Sequence, residues 1–469
     1  MIRIIIYFTF ITLFLTSCME NIIQSTNTSW SWVVATKYAT GLTDDQKVAL
    51  TIARKKELRT IRKWDYMTLK NNPEQAISYY LDALEKLPND TVIKRKIAHT
   101  YYILRDWKNA YKYYSWLPLI DLKDTDKNEL FQSLLFDDTR SDTLAEMGRY
   151  ELDSVTSDYY NAINICYTGI HNCIVNIESY SGTSTQIIAI QKIISKSTQI
   201  SPDFQYRNFL VAAEFYQNSM YRVVDVMTNE ILIKRPNYNE VKKLRGFALY
   251  ELGKYTQSRD VLLNYIAENP KDLESIVKLG DIYVSLWDFI TSSLYYNNAV
   301  TAWYPHKTEI ERRLAYNYSA LHDNAAMLKV LWYLIQETDV TEDDFAVAIS
   351  LALYQWENIK AYAWAYAGMQ KYKNSVLLMP LYLSVLRFNG RFTTTIEFVK
   401  SLPDELALNP LVQLEFAIAL YETGDISQSL FIFKTISEQD PIADWSEEAK
   451  QYIQIIEAMQ ESSGSIKAK

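Results

Sequence analysis

Glycine and proline are scarce in this chain, with 11 of each in 469 residues. Sandwiches, barrels and doubly wound α/β folds turn on glycine, so the low count argues against them and for a mostly helical protein. Cysteine (3) and histidine (4) are rarer still, and the histidines are scattered from His99 to His322. Cys166, His171 and Cys173 form the one metal-like group. They lack the close cysteine pairs of a structural zinc site, so no metal is expected there. On a continuous helix the two cysteines would stand about 10 Å apart, too far for a disulfide. Both are therefore expected as buried helix-face residues.

Basic excess is also missing. The net charge of −8 offers no general attraction to phosphate, which argues against a nucleic-acid partner. Arg54, Lys55, Lys56, Arg59, Arg62 and Lys63 cluster locally, either as a solvated helix face or as a contact for anionic lipid headgroups. No phosphate-cradling glycine loop, Gly-x-Ser-x-Gly elbow or His-Glu-x-x-His pair occurs. No catalytic residue and no cofactor is expected, and the chain reads as a non-enzyme. Asp121, Asp124, Asp126, Asn128 and Glu129 suggest a calcium loop, but its sixth-position glycine and twelfth-position glutamate are missing. A solvated loop is the reading there.

Long hydrophobic runs are absent apart from Ile4–Thr16, which is too short to span a bilayer and suits a signal peptide. It follows Arg3 and closes on Leu15-Thr16-Ser17-Cys18. This tetrapeptide resembles the lipobox of bacterial lipoproteins. The resemblance implies a lipidated Cys18 as the first mature residue, anchored on the extracytoplasmic side. Met19 rather than Asp after the cysteine implies the outer membrane in a two-membrane bacterium. An ordinary secretory peptide, or an uncleaved anchor with Cys18 incidental, is the alternative. Residues 19–42 read as a tether, with Trp30 and Trp32 interrupting a polar stretch. Thr43-Asp44-Asp45-Gln46 is a capping-box start for a helix reaching about Lys70.

What the chain does have is a period. Pro202, Pro236 and Pro270 stand 34 residues apart, and Pro305 follows one residue late. A step of 34 suits one helix–turn–helix unit of a stacked solenoid. Small and aromatic residues recur in phase with it. Ala76, Tyr80, Ala83 and Pro88 are one set, and Ala98, Tyr101, Ala110 and Tyr114 are the next. Gly246, Tyr250, Gly253, Ser258 and Pro270 follow, then Gly280, Tyr283, Tyr296 and Ala299, and finally Ala417, Tyr421, Gly424, Ser429, Phe433 and Pro441.

These residues resemble the tetratricopeptide repeat (TPR) family. The resemblance implies an all-α, TPR-like α-solenoid, a right-handed superhelix of about 9–11 antiparallel helix pairs. Small residues fall at unit positions 8 and 20, where the two helices cross. Glycine near position 15 makes the turn, and proline at 32 ends the unit. The period divides the chain into N-terminal units over 43–156, a main array over 157–442, a capping helix over 443–462 and a disordered tail over 463–469. Counting position 20 along the chain places a twelve-residue insertion between Ala145 and Asp158, and a one-residue slip between 326 and 361. The unit centred on Glu178 and Ile190 departs from the pattern.

TPR proteins bind partners mainly through first-helix residues. On this ruler position 12 is Tyr102, Tyr216, Tyr250, Tyr318 and Tyr421, expected either to line one groove or to support the fold. Arg95, Lys243, Glu311 and Arg312 nearby do not form the uniform set that clamps a C-terminal carboxylate. The leading expectation is an envelope scaffold with a protein or peptide partner. The alternative is glycan or nutrient capture, as in sugar-binding SusD-like lipoproteins.

Overall fold

The computed structural model describes residues 73–118, 122–137, 150, 154–439 and 444–467. The Cys18 motif, the tether, the Thr43 capping box and the basic cluster lie outside the described residues, as does most of the expected insertion. Two compact units are present, one within residues 68–310 and one within residues 311–469. The boundary between them falls between Ile310 and Glu311.

Among the described residues there are helices and no strands. The first unit contains α1 (Pro73–Lys86), α2 (Thr91–Ile103), α3 (Trp107–Ser115), α4 (Asp124–Phe136), α5 (Ser154–Cys166) and α6 (Ile170–Glu178). It continues with α7 (Thr185–Ile200), α8 (Phe204–Gln217), α9 (Tyr221–Lys234), α10 (Asn239–Glu251) and α11 (Tyr255–Glu268). Next are α12 (Leu273–Ser285), α13 (Phe289–Thr301) and α14 (Lys307–Ala320), which runs into the second unit. The second unit holds α15 (Asn324–Leu334), α16 (Glu342–Tyr354), α17 (Asn358–Lys371), α18 (Leu378–Phe388) and α19 (Phe392–Lys400). It ends with α20 (Asp404–Ala407), α21 (Pro410–Thr423), α22 (Ile426–Gln439) and α23 (Asp444–Lys467). The last helix runs beyond Ser462 to Lys467, into the expected tail.

One joint is repeated along the chain. Between the two helices of a pair the backbone passes through a single left-handed residue: Arg105, Ser219, Gly253, Trp287, His322, Trp356, Gly390 and Gly424. The next residue donates its N–H to the carbonyl five positions back, as in Asp106 to Tyr101, Lys254 to Leu249 and Asp425 to Leu420, each at 2.9 Å. This is a Schellman closure. Asp106, Asp288, Asp323 and Asp425 then accept the N–H of Asn109, Thr291, Ala326 and Gln428, capping the second helix. One residue thus ends one helix and starts the next. Glycine was expected at these turns, yet five of the eight carry a side chain. The left-handed conformation costs roughly 1–2 kcal/mol for such residues, and the paired hydrogen bonds hold it in place.

Packing explains the small residues. A Cβ at Gly280 would lie 2.3 Å from the Tyr296 ring, so the helices cross there only because a side chain is missing. The position-20 serine also bonds back to position 8: Ser258 Oγ donates to Gly246 O at 2.6 Å, and Ser429 Oγ to Ala417 O at 2.8 Å.

Two sequence expectations need correcting. From Ser219 the left-handed residues step by 34, 34, 35, 34, 34 and 34, so the slip lies between Trp287 and His322. It is absorbed in the linker before Pro305, where Trp303 takes a φ of 62°. Met327, not Ala326, therefore holds position 20, and Tyr318 falls one place off the row, whose member in that unit is Ser319. Second, Cys166 and Cys173 form a disulfide, with α-carbons 4.0 Å apart. The helix assumed continuous is broken at Gly169 (φ 131°), which folds α6 back beside α5. Glu178 is the exposed last residue of α6, so no helix crossing demands a small residue there.

Candidate binding site

The first unit is not an open stack. The α2–α3 turn meets the α10–α11 turn, across 146 residues of sequence. Arg105 pairs with Glu251, Trp107 Nε1 donates to Leu252 O at 2.9 Å, and the Tyr255 hydroxyl donates to Leu104 O at 3.1 Å. The Arg105 guanidinium lies 4.3 Å from the Tyr250 ring centre, and Lys278 Nζ lies 4.4 Å from it. Gly253 leaves room for this approach, since a Cβ there would lie 2.8 Å from Arg105 O. This contact ties the α2–α3 turn to helices much further along the first unit.

Three of the five predicted tyrosines are drawn into the closure. Tyr102 packs edge-on to Trp107, Trp107 to Phe136, Phe136 against Tyr221, and Tyr221 against Tyr216, with ring centres 5.1–5.6 Å apart. Burial pushes the Tyr102 phenol up to about 12, with Glu129 adding to the effect, and burial also raises Tyr216 and Tyr250. In the second unit Tyr421 is covered by Tyr452 and Met459 of α23. Tyr318 is half-buried on the neighbouring row. Within the first unit Arg105 and Lys278 stand over the Tyr250 ring. Arg105 was missed because it stands at a joint where glycine was expected, with Trp107 two residues on, and what the two touch lies 146 and 145 residues away, which no local signal marks.

The charged residues near the expected groove are committed to neighbouring units. Arg95 pairs with Asp126 at 2.8 Å, Lys243 with Asp272 and Glu274 at 2.8 and 2.7 Å, and Arg312 with Asp344 at 2.8 Å. Partner carboxylates hold these cations, which accounts for the missing carboxylate clamp.

Beside the closure lies a cavity of about 230 Å³. Its floor is Leu135, Phe136, Ile163 and Met220; its walls carry Tyr159 and Tyr167; its rim holds Gln132, Gln186, Gln217 and Asn218. The Tyr102 hydroxyl donates to Gln132 Oε1, so a predicted tyrosine orients a rim carboxamide from behind. Among the described residues no cluster of metal-binding side chains occurs, and no helix is long and apolar enough to cross a membrane.

The repeated joint and the crossing geometry define an all-α, TPR-like α-solenoid. Solved structures similar to the chain include yeast Tom70, at 9% identity over 89% of this chain and 95% of that one, with a TM-score of 0.30. A tetratricopeptide repeat protein from Parabacteroides merdae is 11% identical over 57% of this chain and 99% of its own, with a TM-score of 0.31. The C-terminal part of a TPR repeat-containing protein from Cytophaga hutchinsonii is 14% identical over 53% and 95%, with a TM-score of 0.37. No protein-family model and no curated protein matches the chain.

Proposed function

We propose that this protein is a non-enzymatic scaffold of the bacterial cell envelope, lipid-anchored through Cys18 and holding a protein or peptide partner on its helix pairs. The observation that carries the envelope location is the Cys166–Cys173 disulfide. With Cys18 acylated, it uses the remaining two of the three cysteines, the usage expected of an oxidising compartment. Partner binding is supported by an apolar strip on α13, where Ile290 and Leu294 are 64% and 66% exposed and Trp287 stands half-exposed just before them.

The test combines labelling and crosslinking in the native cell. Labelled palmitate is expected in the wild-type chain and not in Cys18→Ala. A photo-crosslinker placed at Ile290 is expected to trap one recurrent envelope protein, and Leu294→Asp to abolish that adduct. Equal labelling of Cys18→Ala would sink the anchor; an adduct unchanged by Leu294→Asp would sink the strip.

A further inference from the structure

The cavity beside the closure has a chemistry that the scaffold role does not use. Four segments distant in sequence build it: the end of α4, α5 with Tyr167 just beyond it, the start of α7 at Gln186, and the α8–α9 turn. None of its lining side chains is charged at neutral pH. Burial pushes the Tyr159 phenol up to about 12 and raises Tyr167 as well, so both rings stay neutral. A carboxylate, phosphate or amine entering the cavity would lose its hydration and meet no countercharge in the lining. A purely apolar guest would displace water from the rim carboxamides without replacing its hydrogen bonds. The fitting guest is neutral, with hydroxyls around its edge and C–H on its faces.

Size narrows the choice. The volume is below the roughly 300–1,000 Å³ of sites for drug-sized ligands, which limits the guest to about one six-membered ring. The walls are braced from outside. Arg222 stacks on Tyr167 at 4.2 Å and donates to the carbonyls of Leu135 and Asp137 at 3.4 Å, tying α4 to α9. Tyr102 occupies the carbonyl of Gln132, leaving the amide nitrogen to donate. Asn218 Nδ2 donates to Glu214 O at 2.9 Å, which leaves its own carbonyl to accept. The rim therefore offers a fixed donor and a fixed acceptor above an apolar floor.

We propose that this cavity binds a single neutral pyranose ring, either a free monosaccharide or the terminal residue of a glycan. The site is independent of the protein partner proposed above, because the α13 strip contributes nothing to its lining. The test is calorimetric titration of the full chain in detergent with glucose, galactose, N-acetylglucosamine and glucuronate, followed by short oligosaccharides ending in the best ring. At least one neutral ring is expected to bind with a Kd on the order of 1 mM, and glucuronate at least about 10-fold more weakly. Gln217→Ala, an exposed rim change, is expected to weaken binding about 10-fold at unchanged melting temperature. Tighter binding of the oligosaccharide would assign the site to glycan ends, and equal binding to free sugar. Absence of binding by every neutral ring, glucuronate binding equal to glucose, or full affinity in Gln217→Ala at unchanged melting temperature would each overturn the proposal.

Discussion

The first unit and the second are built from the same helix pair with the same left-handed joint, yet each adds a different contact that the repeat does not supply. Within residues 68–310 it is an edge contact, in which Arg105 and Trp107 reach residues far along the chain. Within residues 311–469 it is a buried charge set in a core running from Ala315 to Ile456. Arg387 of α18 meets Glu415 of α21 at 2.9 Å and Glu448 of α23 at 3.9 Å, and all three side chains are largely buried. The Ser384 hydroxyl also donates to Glu415. The period makes a stack in both units. The particular side chains carried at its positions decide what each stack closes on.

The largest expected effect comes from breaking the buried set. Arg387→Met leaves two interior carboxyl groups without their cation and should destabilise by about 3–5 kcal/mol, read by urea unfolding. An effect below about 1 kcal/mol would mean that the charge set is incidental to the second core.

Acidity sharpens the same point. Burial raises both carboxyls, opposed by Arg387, and Glu448 reaches about 8. Glu415 holds the arginine at the shorter distance, so the proton resides on Glu448. Above the ordinary glutamate range the folded chain keeps a proton that the unfolded chain has released, so stability falls as pH rises towards 8. The slope should be on the order of 1 kcal/mol per pH unit across that window, and Glu448→Gln should flatten it. A slope unchanged in Glu448→Gln would assign the pH dependence to other groups.

Smaller effects separate the joints. Gly253 and Gly424 have φ values of 76° and 95°, but only at Gly253 would a Cβ meet another part of the chain. Gly424→Ala should cost about 1 kcal/mol for the left-handed backbone alone. Gly253→Ala should cost about 2 kcal/mol, because Arg105 must also give way. Equal shifts in thermal unfolding would mean that the closure contributes nothing at that point.

How far the fold could be read follows from the kind of contact involved. Helix pairs, small crossing residues and spacing were legible because each unit repeats its own local packing, as at Gly280 against Tyr296. The turn residue was only partly legible, since hydrogen bonds hold Trp287 and Trp356 where glycine was expected. The disulfide was missed because one glycine, Gly169, turned a presumed helix into two. Of the tyrosine row, Tyr102, Tyr216 and Tyr250 came together, but around Arg105, an arginine at a joint where glycine was expected. Gln132, Tyr159 and Asn218 of the cavity converge only through tertiary folding, and no periodic count could have assembled them.

The shared aspartate at the joint has a bearing on how such a chain can change over time. Asp106, Asp288, Asp323 and Asp425 each serve two helices at once, so adding or deleting a residue there would break a closure and a cap together. The one step of 35 is accommodated in the linker at Trp303 and Pro305, with the joints on either side intact. Inheritance would therefore act on whole helix pairs as indivisible modules, with length variation confined to the seams between them.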